Sequence, residues 1–488
     1  MIKSIPKGAG SLFFIQLFST FGFSILMSTL VLYATNQLGL SDFIANSIIG
    51  GFLAFNFFLH LVGGAMSGQL FSHRGLFILG MISQVIGAYI ISLGSVLSLY
   101  WGLAFFLAGS GLNVTCLNCM LTQLFEPNDS RRESSFLWNY SGMNIGFMIG
   151  FFVSGVFELR AMYSQLFLVA AIGNAVAIIV VLVNWPKLKD IHTSYLSKSF
   201  KKKTYSIVLT LLIVLTLVLL LRWLLIYVTF SNHLVLWVGV CIFFTVAYLG
   251  VKQKRENNLS RIFAFLILTM AALIFAVLYQ MTPMGLMLFI ERNVDRFVNG
   301  IELAPQWFSN VNTIVIIIGG PLMAFFYKKL RKKGYNISVP LQFFVALLLI
   351  GLGYIILNIG IFFASPEGYV NFLWVVVSYI FQSFGELFIT PIGYAMIGQL
   401  IPKKLQGFMM GVWMMSLGVG AVISSFFSRF ALKSLSDNPL ISNINFNHTF
   451  FTLGLLAIIG ALILFFISKR LNKLIDINPK FEETTLPH

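Results

Sequence analysis

The sequence predicts an all-α membrane protein with fourteen transmembrane helices, and three observations carry that prediction. Of 488 residues, 58% are apolar and the mean hydropathy is +0.90. Only 10% are charged, against roughly 25% in a soluble domain. Apolar runs of about 20 residues, long enough to cross a hydrocarbon core of about 30 Å as helices, recur along the whole length.

The runs fall near 10–34, 43–70, 75–96, 99–125, 134–158 and 161–184, then near 205–230, 233–251, 261–290, 305–327, 337–364, 369–400, 404–430 and 447–468. The first follows a short basic segment, Met1 to Lys7, and is too long for the core of a cleaved leader. It reads as a retained first helix. An even number of spans puts both termini on one side of the membrane, and the basic residues say which. Lys3 and Lys7, Arg74, Arg131 and Arg132, the run Lys187 to Lys203, Lys252 to Arg261, Lys328 to Lys333, Lys403 and Lys404, and the tail from Lys469 share one face, 26 of the 32 Lys and Arg in all. Five lie opposite and Arg222 is inside a helix. Such asymmetry marks the cytoplasmic side, so both termini are expected in the cytoplasm of a cell with this chain in its inner membrane. It also accounts for the net charge of +16 without nucleic acid.

The linker 187–204, with Lys201-Lys202-Lys203, suits anionic lipid headgroups. It divides the chain into a six-helix bundle at 1–186, an insert of linker plus two Leu- and Val-rich helices at 187–260, and a second bundle at 261–488. The inserted helices read as lipid-facing additions. Without them the count is six plus six, the arrangement of the major facilitator superfamily, whose halves rock about a site at the midplane. Cys116, Cys119 and Cys241 lie in apolar runs, so neither a disulfide framework nor a metal or other cofactor is expected.

The motifs carry more than the count. Gly385-Glu386-Leu387-Phe388-Ile389-Thr390-Pro391-Ile392-Gly393 leads to Pro402 and then to Gly407-Phe408-Met409-Met410-Gly411-Val412-Trp413. This spaced pattern resembles the tenth and eleventh core helices of the proton-dependent oligopeptide transporter family. Gly109-Ser110-Gly111-Leu112 and Tyr140 to Gly146 resemble its fourth and fifth helices, Leu288 to Asp295 the end of its seventh, and Trp307-Phe308 with Asn312 the start of its eighth. The departures concern coupling. Where the family has E-x-x-E-R-F on its first helix, this chain has Gln16-Leu17-Phe18-Ser19-Thr20-Phe21. A second arginine of that helix matches Met27, and the fourth-helix lysine matches Val114. The resemblance therefore implies a cavity that binds a free carboxylate poorly.

Glu386 remains, near the middle of a long apolar run, and an intramembrane acid is a functional-site candidate by default. The resemblance gives it the substrate's amino group. Without its usual cationic partner it is expected to carry a proton itself, neutral when the site is empty and ionised when a cation docks. The bland alternative is an uncharged acid that only joins neighbouring helices. Asn144, Gln280 and Asn312 are further candidates for the cavity wall, with aromatic surfaces from Tyr33, Tyr140 and Trp413, against the bland role of interhelical contacts. His60 reads as a buried, satisfied histidine. The loop Gly68 to Gly75 keeps the Gly and Arg of the superfamily's gating loop but lacks its acid.

The function implied is a monomeric secondary transporter that moves a small peptide-like or amine-bearing solute by alternating access, with proton symport as the family's mode. The alternatives are a diverged carrier of another metabolite or chelator, uncoupled or exporting, and a sensor that does not transport. A membrane enzyme is disfavoured, because no H-E-x-x-H or comparable cluster occurs.

Overall fold

The computed structural model describes residues 8–126, 129, 131–191, 193–252, 258–334, 337–401, 405–433 and 438–475. The lysines of 403–404 and the tail beyond 475 lie outside them. Among the described residues fourteen helices are long and apolar enough to cross a membrane. The first six are α1 (Ala9–Leu32), α2 (Asp42–Met66), α3 (His73–Ile91), α4 (Val96–Thr122), α5 (Arg131–Glu158) and α6 (Tyr163–Val183). They pack mainly on one another, α1 on α5 and α6, and α4 on α2 and α3. Then come α7 (Phe200–Ile226) and α8 (Val228–Lys252), followed by α9 (Asn258–Tyr279), α10 (Gly285–Asn293), α11 (Ser309–Lys332), α12 (Val339–Phe362), α13 (Phe372–Leu400), α14 (Gln406–Ala431) and α15 (Pro439–Ile475). Here α12 packs on α13 and α15, and α9 on α14.

Glycines set how closely these helices approach. Lipid tails are as apolar as leucine, so association in the membrane rests on contact between backbones and small side chains. A Cβ on Gly63 would stand 2.2 Å from the Gly111 carbonyl oxygen, and one on Gly109 would stand 2.2 Å from that of Gly80. The Gly-Ser-Gly run at 109–111 is therefore where α4 meets α3 on one side and α2 on the other. Ser110 adds a 2.5 Å hydrogen bond to Asn56 across the same crossing.

The run at 261–290 is broken. Pro283 has no N–H and cannot continue the ladder, so α9 ends at Tyr279 and α10 starts at Gly285. The Gly285 N–H donates to Ser428 Oγ at 3.1 Å, which satisfies a group that hydrocarbon would leave unpaired. Beyond α10, β1 (Val294–Asp295) pairs in parallel with β4 (Val370–Asn371), and β2 (Phe297–Val298) with β3 (Ile301–Glu302) as a hairpin. Its turn, Asn299-Gly300, has φ of 51° and 81°, residues suited to the positive φ that such a turn requires.

At the end remote from both termini the two groups of helices are tied together. Arg292 at the end of α10 clasps Asp42 at the start of α2 through two hydrogen bonds of 2.8 and 2.9 Å. Asn36 donates to Glu291. Glu158 at the end of α5 accepts from Tyr163 at 2.5 Å and from Gln306 at 2.9 Å. The Trp307 indole donates to the Phe152 carbonyl at 3.0 Å and stacks on the Phe152 ring. Burial pushes the Glu291 carboxyl above its usual range, against the pull of Asn36, Arg292 and Arg296. Along one flank α2 and α14 stay in contact over most of their length, Gly50 meeting Ser425 and Gly411 meeting Leu61.

The inserted hairpin lies on the outside, with few of its side chains buried, and Asn232 of α8 reaches the Ser47 carbonyl at 3.4 Å. Arg222 is no stray charge, for its guanidinium sits 4.4 Å from the Trp101 ring centre. Lys201 and Lys202 are exposed on the first turn of α7, and Lys203 faces the Tyr195 ring. Ahead of them the linker straps the loop between α2 and α3. Arg74 donates to the Trp185 carbonyl at 2.5 Å and lies on its indole, and the Tyr195 N–H donates to Gly68 at 2.9 Å. Asp190 accepts from the His73 N–H at 3.0 Å, at the N-terminus of α3, where a negative charge is stabilising. The acid missing from the gating loop is thus supplied from the linker.

Two predictions follow from these contacts. Gly63→Ala lowers the melting temperature of the purified protein by an amount corresponding to about 1–3 kcal/mol, whereas Gly64→Ala, whose Cβ would meet only Thr115 at 3.5 Å, leaves it nearly unchanged. Arg292→Ala weakens the far-end tie, so distances between spin labels on the far ends of α2 and α11 broaden toward longer values; Asp42→Ala does the same, and the double variant adds little.

Candidate functional site

The central feature is a carboxylate on α13. This helix is 29 residues long and its other central residues are uncharged, and Glu386 is held by donors from neighbouring helices. Asn312 of α11 supplies one, its Nδ2 donating to Glu386 Oε2 at 2.9 Å and to Ser383 Oγ at 3.0 Å. Tyr279, at the break after α9, directs its hydroxyl at the same carboxylate. From the other bundle, the partly exposed Tyr140 of α5 comes near enough for its phenol to interact with the carboxylate, and Tyr394 lies beside it.

Along α13, Gln382 one turn and Tyr379 two turns before Glu386 wall a small cavity. Asn312, Ser309, Tyr279 and Thr282 complete the wall on the second bundle's side, with Met27 and Phe151 from α1 and α5 opposite. The break at Pro283 is what brings Tyr279 and Thr282 here. The Tyr379 hydroxyl is buried near Ser309 and Thr282.

The residues singled out in the sequence divide into two groups. Glu386, Asn312 and Tyr140 come together, Asn312 as a clamp on the carboxylate. Asn144 is buried one turn from Tyr140 and donates to its carbonyl at 2.9 Å, which fixes the α5 segment carrying the phenol. Tyr33, Trp413 and Gln280 stand outside the cavity's walls. Tyr33 is fully buried in the first bundle, donating to the Ile91 carbonyl at 3.0 Å and packed on Phe167 and Tyr163. Trp413 is buried on Gly393, whose Cβ would stand 2.0 Å from the indole; the Gly and Trp of the motif are a packing pair. Gln280 is buried beside Tyr279 and is not among the cavity's walls. His60 is half-buried, and its Nε2, expected to be satisfied, has no hydrogen-bond partner among the described residues.

On the first helix the missing charges are replaced by a neutral chain. Gln16 donates to Thr20 at 2.8 Å and accepts from Asn139 of α5 at 3.1 Å. Sequence reasoning missed Tyr279, Thr282, Ser309, Tyr379 and Gln382. Pro283 was the available signal for the first two, since a broken helix at membrane depth is tolerated where it lines a cavity. It also missed Glu158, which stands at a helix end and matches no motif.

Comparison with known proteins agrees with this architecture. A family model described as the POT family matches residues 67–445. Dipeptide and tripeptide permease A of Escherichia coli K12 is 28% identical over 481 residues, covering 96% of this chain and 93% of the relative, and its Klebsiella pneumoniae counterpart is 27% identical over 476 residues with the same coverage. A crystal structure of a peptide transporter POT in complex with sulfate superposes with a TM-score of 0.84 at 24% identity, covering 96% of each chain. A POT family transporter in complex with 5-aminolevulinic acid gives 0.82 at 24%, covering 96% of this chain and 97% of the other. These likenesses establish the major facilitator fold as two six-helix bundles with a two-helix insert. Since the family model spans well over half of its residues, this multi-pass membrane chain belongs to the POT family.

Proposed function

We propose that the protein is a secondary transporter, not an enzyme, that carries a small peptide or amine-bearing solute across the membrane by alternating access, with Glu386 as both the ammonium-binding and the proton-binding group. The observation that carries this reading is a carboxylate on an otherwise uncharged helix, clamped by Asn312 beside a cavity walled from both bundles. An ammonium group satisfies such a carboxylate, and a phenol from the opposite bundle, Tyr140, lies near the same point. The names of the curated relatives, dipeptide and tripeptide permeases, support the substrate class.

With both termini in the cytoplasm, the ties at Arg292, Glu291 and Glu158 form the outer gate, and the described conformation is closed to the outside. Lys201 and Lys202 then face the inner-leaflet headgroups, and the monomer with three segments, 1–186, 187–260 and 261–488, is the working unit. A second reading, transport uncoupled from protons, is favoured by the neutral Gln16–Thr20–Asn139 chain where the family places charges.

One experiment decides between them. In proteoliposomes the wild type takes up a labelled dipeptide or dipeptide amide at a rate that changes with an imposed pH gradient, while Glu386→Gln loses that response and binds at least tenfold more weakly. Uptake that ignores the gradient in both proteins supports the uncoupled carrier, and no flux of either compound removes the transport reading. Asn312→Ala, which leaves the carboxylate without its clamp, weakens binding in the same direction by about 1–3 kcal/mol, the cost of a lost hydrogen bond to a charged group.

A further inference from the structure

We infer that Glu158 and Glu291 form a second proton-binding site, separate from Glu386, which latches the far end of the transporter shut when the medium at that end is acidic. The inference goes beyond the proposed function and rests only on its reading of the far-end ties as a gate.

The two acids come from different bundles and are joined by one chain of hydrogen bonds. Asn36, just past α1, donates to Glu291 Oε1 of α10 and also meets the Tyr163 hydroxyl. Tyr163 of α6 donates to Glu158 Oε1 at 2.5 Å, and Gln306, ahead of α11, donates to Glu158 Oε2 at 2.9 Å. The groups that link the two acids are all neutral. The chain enters the second bundle at both ends, at Glu291 and at Gln306, so opening the far end breaks it twice.

The charges around the chain do not balance. Facing the pair are Asp42 of α2, Arg292 of α10 and Arg296 between β1 and β2, with Glu302 of β3 on Arg296. Arg292 is committed to Asp42 by its two hydrogen bonds, and its Nε stays 3.8 Å from Glu291 Oε2. Arg296 holds Glu302 at 2.9 Å and the Leu303 carbonyl at 2.7 Å. Among the described residues of this cluster, Asp42, Glu158, Glu291 and Glu302 thus share Arg292 and Arg296. The two acids not clasped by an arginine are Glu158 and Glu291, and they are close enough to repel one another. Of two carboxylates that share one site, one holds its proton.

The hydrogen bonds also decide which atom takes the proton. Both oxygens of Glu158 already accept, so a proton there would displace Tyr163 or Gln306. Glu291 Oε1 accepts from Asn36, whereas Oε2 is buried with no hydrogen bond among the described residues. A proton on Oε2 leaves the chain intact and removes the repulsion. When the far end opens, both carboxyls meet water, the O–H bond breaks and the proton passes to water on that same side. The latch therefore moves no proton across the membrane and leaves the coupling of solute to protons untouched. Burial raises the Glu291 carboxyl in the closed form, and hydration on opening returns it toward the ordinary value of about 4.3. The closed form binds the proton more tightly, so its advantage is full below the ordinary value and is lost as pH rises through the raised one.

The test follows distances between spin labels on the far ends of α2 and α11 in the full-length protein in nanodiscs, without solute, from about pH 8 down to about pH 5, just above the ordinary carboxylate value. In the wild type the ratio of closed to open form is expected to rise about threefold or more on acidification. Glu386→Gln keeps that rise. Glu291→Gln, uncharged throughout, holds the closed form over the whole range and flattens the profile. Glu158→Gln removes the repulsion from the other side and flattens it in the same way, so either variant serves if the other does not fold. A wild-type ratio that ignores pH or falls on acidification overturns the latch. So does a rise that Glu386→Gln abolishes, or one that Glu291→Gln and Glu158→Gln both retain. With no solute present, each of those results leaves the transport reading standing, and a failure of dipeptide uptake leaves the latch standing.

Discussion

Hydrocarbon offers no partner to an N–H, a C=O or a charge, and every main feature of this molecule answers to that constraint. The backbone answers it with helices. Where a helix must break, as at Pro283, a side chain from another helix closes the gap, and Ser428 does so for Gly285. The break is confined to the interior of the second bundle, where it turns Tyr279 and Thr282 into the cavity. The same constraint shapes Glu386, which is held by Asn312 because no water-filled face of α13 would otherwise stabilise it.

Helix contacts follow from the weakness of hydrophobic association in lipid. Glycines at the crossings let backbones touch, and much of the family motif turns out to be crossing geometry. Gly109 and Gly111 seat α4 on its neighbours, Gly146 seats α5 against the Leu17 carbonyl, and Gly393 receives the Trp413 ring. These motif positions specify a scaffold. The chemistry is carried by fewer residues, and several of those belong to no motif.

Charges outside the hydrocarbon join the parts that move. The Arg292–Asp42 clasp and the Glu158–Gln306 contact link the bundles at the far end, while the linker holds the loop of α2 and α3 through Asp190, Trp185 and Tyr195. The first set spans the bundle interface and must break for the far end to open. The second lies within the first bundle and its linker and travels with it. An acid absent from its usual place in the loop is thus replaced by one that is distant in sequence and near in space.

The sequence by itself determined the class of fold, the number of spans and the place of an isolated acid, Glu386, within a span, because hydropathy, charge asymmetry and a lone charge are local properties that a bilayer reads residue by residue. It also showed that the first-helix charges are gone. Only the tertiary structure decided what stands around Glu386, since a wall is made by residues from α1, α5, α9, α11 and α13 that share no local pattern. Tyr33 and Trp413 had the right chemistry for a binding site and turned out to be packing, because an aromatic ring in an apolar helix looks the same in sequence whichever face it occupies. Tyr279 was hidden for the same reason, and a proline four residues on, read as a break rather than a kink, was the one local sign of where it would point.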